Sequence, residues 1–288
     1  MDCRTVRGVA LSIAVIAVSF GAILVRLAEE APPIAAAAWR LSIAALLLAP
    51  FAARRREGPP ITRRQLTMCA ASGAFLALHF MLWIASLHHT SVASSVVLVS
   101  TNPVFILVGS ALFLRERASR GMIAAVALSM VGIVLIGWGG LRVDAGSIVG
   151  DAMALGGALM ASGYLLIGRA ARQTLPIDRY AFLTYATAAG LLLLTCLAAR
   201  QPLVGFSGRT TLFLVLMAVG PQLIGHSTFN WALKALPAST VALVILGEPI
   251  GSTILAFLIL GETVTLLKAV GGVLILIGIY IGLYRGKR

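Results

Sequence analysis

Charge is scarce in this 288-residue chain: 11% of residues are charged, 59% are hydrophobic, and the mean hydropathy is +0.99. Soluble domains carry about a quarter of their residues as charges, so that class is excluded. Long polar segments are missing as well. The longest interruption, AARRREGPPITRR (52–64), is a basic surface loop too short to hold a core, which leaves no room for a soluble domain. Only three cysteines occur, Cys3, Cys69 and Cys196, far apart and without a CxxC pair. That excludes a disulfide framework and a CxxC metal site, so they are expected to be packing residues, and no metal or cofactor is expected. No GxxxxGK[ST] stretch exists, which rules out a Walker-type ATP-driven pump and leaves gradients as the energy source. The stretch MASG (160–163) lacks the first glycine of a GxSG elbow. An intramembrane hydrolase built on Ser162 therefore has no paired signature, and an enzyme is not expected.

What the chain has instead is apolar runs. Ten recur, at 8–27, 34–51, 65–87, 91–114, 119–139, 147–168, 179–199, 211–233, 237–260 and 266–284. Each is long enough, at about 1.5 Å rise per residue, to cross a hydrocarbon core about 30 Å thick. The fold class is an all-α membrane protein with ten transmembrane helices. Arg4 and Arg7 precede the first run as they would in a signal peptide, but no convincing small-x-small cleavage site precedes RLAEEAPP, so a retained helix is expected.

The net charge of +13 is a topology signal. With the N-terminus inside, the opposite face receives Arg26, Arg142, Arg200, Arg209 and Lys268, Arg40 lies within a run, and the other basic residues collect on the cytoplasmic face. This bias places both termini in the cytoplasm of a bacterial-type inner membrane, and anionic lipid headgroups rather than nucleic acid are the partners of the basic patches.

The chain also repeats. NPVFILVGSALFLRERASRGMIAAVALSMVGI (102–133) lies over EPIGSTILAFLILGETVTLLKAVGGVLILIGI (248–279) without a gap, matching Pro103 with Pro249, Glu116 with Glu262 and Gly132 with Gly278. Trp83 matches Trp231 after a two-residue shift, and Ser19 and Arg26 match Ser162 and Arg169. The halves, 1–140 and 141–288, hold five helices each. Five is odd, so the second half enters the membrane from the other side, giving an inverted repeat of the kind that builds alternating-access carriers.

Together with WRLSIAALLLAP in the second run, the blocks WIASLHHTSVASSVVLVSTNPVFILVGSALFLRER and WALKALPASTVALVILGEPIGSTILAFLILGE resemble the two EamA-type repeats of the drug/metabolite transporter superfamily. The resemblance covers essentially the whole chain and implies a small-molecule carrier, with export of amino acids or related metabolites favoured and import or facilitated exchange as the alternative. A structural or channel role fits paired central breaks less well.

The candidate site follows from polar residues in apolar surroundings. Pro103 and Pro249 lack an N–H, so the carbonyls of Val99 and Ile245 lose helical partners, a loss tolerated where protein or a watery cavity replaces them. The breaks mark either such a cavity or packing kinks. Glu248 sits halfway along the ninth run, where a carboxylate costs about 2.5–3.5 kcal/mol to insert. It is expected either to carry a proton or pair with a substrate ammonium, or else to be tied to Arg40. Its repeat mate is Asn102, so one titratable site is expected. In PQLIGHSTFNWALK (221–234), the i, i+4, i+8 spacing of Gln222, His226 and Asn230 stacks them on one helical face, with Ser227 and Trp231 along its edge. His79 and Trp83 occupy the matching third run; His79 is either a proton-relay partner or a bridge between helices. The expected substrate contacts are His79, Trp83, Asn102, Gln222, His226, Asn230, Trp231 and Glu248, with Glu248 and His226 as proton-coupling candidates. Glu116 and Glu262 are expected to cap the helices that follow them. Small residues at four-residue spacing, Gly278 and Gly282, and Gly150, Ala154, Ala158 and Ser162, imply close helix contacts within a monomer or a homodimer.

Overall fold

In lipid every backbone amide and carbonyl needs a partner inside the protein, so an apolar run long enough to cross must form a helix. The computed structural model describes residues 3–54, 60–138 and 145–285, and among them ten helical spans are long and apolar enough to cross a membrane. The middle of the basic loop, Arg142, the boundary between the halves, and the final Lys287 and Arg288 lie outside the described residues.

The spans are α1 (Cys3–Leu27), α2 (Pro33–Arg54), α3 (Arg63–His89), α4 in pieces (Val92–Val99, Asn102–Gly109 and Ser110–Leu114), α5 (Arg120–Gly137) and α6 (Ala145–Arg172). They continue with α7 (Ile177–Ala198), α8 (Gly208–Met217, Ala218–His226 and Ser227–Ala232), α9 (Ala238–Ile245 and Glu248–Leu260) and α10 (Leu266–Arg285). Hydroxyl caps begin several of them. Thr62 and Gln65 form a reciprocal capping box at α3, and Ser91, Ser119 and Ser207 accept from amides three residues on.

Helix association in a bilayer depends on close packing, because lipid is as apolar as the helices. The packing here follows the repeat. α3 lies along α6 while α1 lies along α8, so the first helix of each half packs against the third helix of the other. α2 packs on α7, α5 on α10, and α4 crosses α9. The α5–α10 seam shows the register. A methyl added at Gly132 would lie 2.5 Å from the Gly271 carbonyl oxygen, and one added at Gly278 would lie 2.7 Å from that of Ala125. Gly278 follows Gly132, and Gly271 follows Ala125, by the same interval in sequence, so the two contacts are repeat mates in antiparallel helices. Ser19 and Ser162 repeat the theme: each hydroxyl bonds 2.7 Å to the carbonyl four residues back, and each reaches the other half, Ser162 to the Asn102 carbonyl at 3.1 Å and Ser19 to that of Glu248 at 3.5 Å.

Both helices break where the prolines were expected to break them. The interruptions fall just before the prolines, at Ser100–Thr101 and Leu246–Gly247, and Pro103 and Pro249 sit in the first turn of the second half-helix, where a missing N–H costs nothing. One expectation is corrected: Glu116 and Glu262 do not cap the next helix. Each donates its amide to a carbonyl six residues back, Ser110 at 3.0 Å and Ala256 at 3.2 Å, after a left-handed residue, Arg115 (φ 56°) or Gly261 (φ 70°). These are matched helix stops, each turned by a left-handed residue and closed by a bond one residue longer than that of a Schellman motif. The carboxylates are used elsewhere: Glu116 pairs with Arg169 at 2.8 Å and Glu262 with Lys268 at 3.7 Å, while Ser119 caps α5.

Candidate functional site

Because α4 and α9 both restart at mid-membrane, two half-helix N-termini, headed by Asn102 and Glu248, converge on the bundle centre. The first turn of a helix carries exposed amides and a partial positive charge, a place where a carboxylate is favoured. That is what an acid gains at the centre of an apolar span. Between the two starts lies a cavity of about 50 Å³, enough for water but far below the roughly 300 Å³ of an ordinary ligand pocket.

Arg40 reaches this cavity from α2 and is 1% exposed. Its Nε donates to Gln222 Oε1 at 2.8 Å, and its guanidinium carbon stands 4.0 Å from the centre of the Phe80 ring. Arg40 and Glu248 lie close enough to feel each other's charge, yet among the described residues Arg40 makes no ion pair with a carboxylate within 4.0 Å. Glu248 is therefore not tied to Arg40 by a direct salt bridge.

On α3, His79 Nδ1 lies 2.9 Å from the Gly157 carbonyl oxygen of α6. A carbonyl only accepts, so Nδ1 carries the hydrogen and the ring bridges the two helices while its other edge lines the cavity. The His79 ring stacks parallel to Trp83, with centroids 6.2 Å apart. His226 also lines the cavity, packed against Phe80, Tyr164 and Phe229 at ring separations of 5.3, 6.1 and 6.4 Å. No hydrogen bond joins His226 to Glu248 among the described residues.

Gln222, His226 and Asn230, expected on one face of α8, all point into the bundle and meet different partners there. Residues 218–226 form a π-helical segment around Pro221, in which the Ser227 amide bonds to the Gln222 carbonyl five residues back. His226 faces the cavity, Gln222 turns to hold Arg40, and Asn230 donates to the Tyr164 and Tyr185 hydroxyls, the latter at 3.2 Å. Neither Gln222 nor Asn230 lines the cavity, although both are fully buried. Trp231 is corrected outright. It is 36% exposed, away from the cavity, whereas its repeat mate Trp83 is 4% exposed and lines it. Of the eight expected contacts, the structure thus brings His79, Trp83, Asn102, His226 and Glu248 to one cavity. Arg40 and Phe80 line it too, although the sequence did not mark them as solute contacts, and Tyr164 adds an aromatic wall. The signal for Arg40 was present, a lone cation within an apolar run.

An EamA-like transporter family model matches the chain at residues 8–138 and again at 148–284. The chain belongs to the EamA-like transporter family. This family membership makes it a transporter of the drug/metabolite superfamily and not an enzyme. Similar proteins include an uncharacterized transporter of Clostridium kluyveri, 26% identical over 77% of this chain and 73% of that one. Another, of Archaeoglobus fulgidus, is 27% identical over 86% of this chain and 88% of its own. A solved crystal structure superposes on this EamA-like transporter with a TM-score of 0.80, covering 99% of this chain and 98% of the other. At 19% identity that likeness speaks for the fold alone.

Outside the centre, a second cavity of about 530 Å³ opens at the end of the bundle away from the termini, lined by Arg26, Glu29, His88 and His89 among others. Val25 and Leu87 also line it, each one helical turn along from Gly21 and Trp83 of the central cavity. At the terminal end, Arg169 pairs with Glu116 and also donates to the carbonyl of Leu233 at 2.7 Å and of Lys234 at 3.2 Å, holding the ends of α4, α6 and α8 together.

Proposed function

We propose that this EamA-like transporter is a secondary carrier that moves small polar or zwitterionic metabolites, such as amino acids, out across a bacterial-type inner membrane, with both termini in the cytoplasm. The halves 1–140 and 141–288 act as inverted repeats, alternately opening the central site to each side. One observation carries this reading: two half-helices begin at the same mid-membrane cavity, and that cavity is lined by the buried Arg40 and the half-buried Glu248. Charges in a bilayer interior are costly and mark solute or ion paths, and broken helices at a repeat interface form carrier sites. The vestibule on one side and the Arg169 clasp on the other support a state closed at the terminal end. The carrier works as a monomer or a homodimer.

In this mechanism Glu248 binds or releases a proton, or faces a solute ammonium, while Asn102 orients the solute against Trp83 and the aromatic walls. His226 is the second proton-coupling candidate. Gln222 and Asn230 act from behind, through Arg40 and Tyr164. Uptake by proteoliposomes with the lumenal pH monitored tests both parts. Solute movement accompanied by a pH change in the wild type, and lost in Glu248→Gln, is the expected outcome; transport unchanged in Glu248→Gln at every pH removes the proton role.

A further inference from the structure

The geometry points to Arg40 as the residue that selects for a carboxylate on the solute, an inference that rests on the carrier reading above. Arg40 is held on two sides, by Gln222 at its Nε and by the Phe80 ring at its face. Arg40 lines the cavity, and a methyl added at Gly21, which also lines it, would lie 3.9 Å from Arg40 Nη1 and 3.4 Å from the Trp83 ring. Arg40 and Trp83 therefore border one small space. Trp83 Nε1 is a buried donor with no partner, and across the cavity Asn102 Oδ1 is a buried acceptor with no partner.

The polar groups around the cavity divide by chemistry. The donors, the Arg40 guanidinium and the Trp83 indole N–H, come from α2 and α3; the acceptors, Asn102 Oδ1 and the Glu248 carboxylate, come from α4 and α9, and of these the indole N–H and Asn102 Oδ1 are buried orphans. A buried polar atom without a partner costs stability, so each orphan is a position where a water or ligand atom satisfies the structure. A guanidinium fork fixed at one nitrogen matches the two oxygens of a carboxylate, which an amide or an amine cannot replace. Solutes that lack a carboxylate leave Arg40 desolvated and unanswered. The site thus discriminates by the cost of a buried unpaired cation as well as by attraction.

The test uses the full chain in proteoliposomes and a panel of leucine, phenylalanine and glutamate, each with its primary amide and its decarboxylated amine. The acid of any transported set is expected to be preferred by about 10- to 100-fold, the range of a charge-assisted contact. Arg40→Gln abolishes that preference, and Arg40→Lys restores part of it because the charge returns without the fork. Gln222→Met raises KM for the acid about 10-fold with kcat unchanged, since it loosens the fork without removing it. It also serves if Arg40→Gln does not fold, as judged by size exclusion. An amide or amine carried as well as its acid, or an acid KM unmoved in Gln222→Met, overturns the role of Arg40 and leaves the carrier standing. Transport of no panel member counts against the carrier reading, and this assignment falls with it.

Discussion

The two ends of the bundle are built from matching residues and are engaged differently. At the terminal end Arg169 bonds to Glu116 at 2.8 Å and to the last carbonyls of α8. At the opposite end the repeat mates are Arg26 and Glu262, and they do not meet: Arg26 lines the vestibule and Glu262 bonds to Lys268 at 3.7 Å. One end is clasped and the other stands open, although the sequence supplies both with the same pair. The asymmetry lies in the conformation, since the residues match. If the halves exchange conformations during transport, Arg26 and Glu262 form the clasp of the other state while Arg169 and Glu116 part.

The strongest way to break that comparison is to lock each pair. In a background without Cys3, Cys69 and Cys196, cysteines at 26 and 262 are expected to form a disulfide during turnover and to abolish transport until reduced. Cysteines at 116 and 169 do the same from the resting state. Failure of the 26–262 pair to cross-link while transport runs refutes the exchange. A second comparison concerns the α5–α10 seam. Gly132→Leu pushes into the Gly271 backbone and should destabilise by about 1–3 kcal/mol in a detergent unfolding assay, whereas Gly190→Ala, inside a helix and meeting nothing within 4 Å, does not destabilise.

The matched helix stops give a smaller effect of opposite sign in the two halves. Arg115 occupies a left-handed position that Gly261 occupies without strain. Arg115→Gly should raise stability by about 0.5 kcal/mol and Gly261→Ala lower it by about 1 kcal/mol. Smallest is a pH effect at the open end. The Ser207 amide donates to Glu30 at 2.8 Å and holds its carboxyl below the ordinary value. The stabilisation is therefore present above the unfolded carboxyl pKa and is lost as pH falls through the lowered folded one. Glu30→Gln should remove that acid-side loss from a melting curve taken against pH.

Much of the architecture was legible because the bilayer admits few solutions. Apolar length alone located all ten spans, and the matched Pro–Glu spacing located both breaks to within one turn. The site was legible in part. Glu248, Asn102, His79, Trp83 and His226 stand out as polar or amphipathic groups in apolar runs, and the fold brings them to one cavity. Trp231 lies away from the cavity, and Gln222 and Asn230 stand behind it, bonded to Arg40 and to Tyr164, partners that spacing along α8 does not name. Arg40 was visible as a charge, while its use depends on Gln222 and Phe80, residues remote from it in sequence.

By itself the sequence determined that this chain spans the membrane ten times, that its halves match, and that an acid lies at mid-depth, since each follows from hydrophobicity and spacing along one strand of chain. Only the tertiary structure decided that Arg40 leans on Gln222 rather than bonding to Glu248, and which end of the bundle is clasped. Those outcomes are choices among nearby partners of similar chemistry, settled by distances that no linear pattern contains.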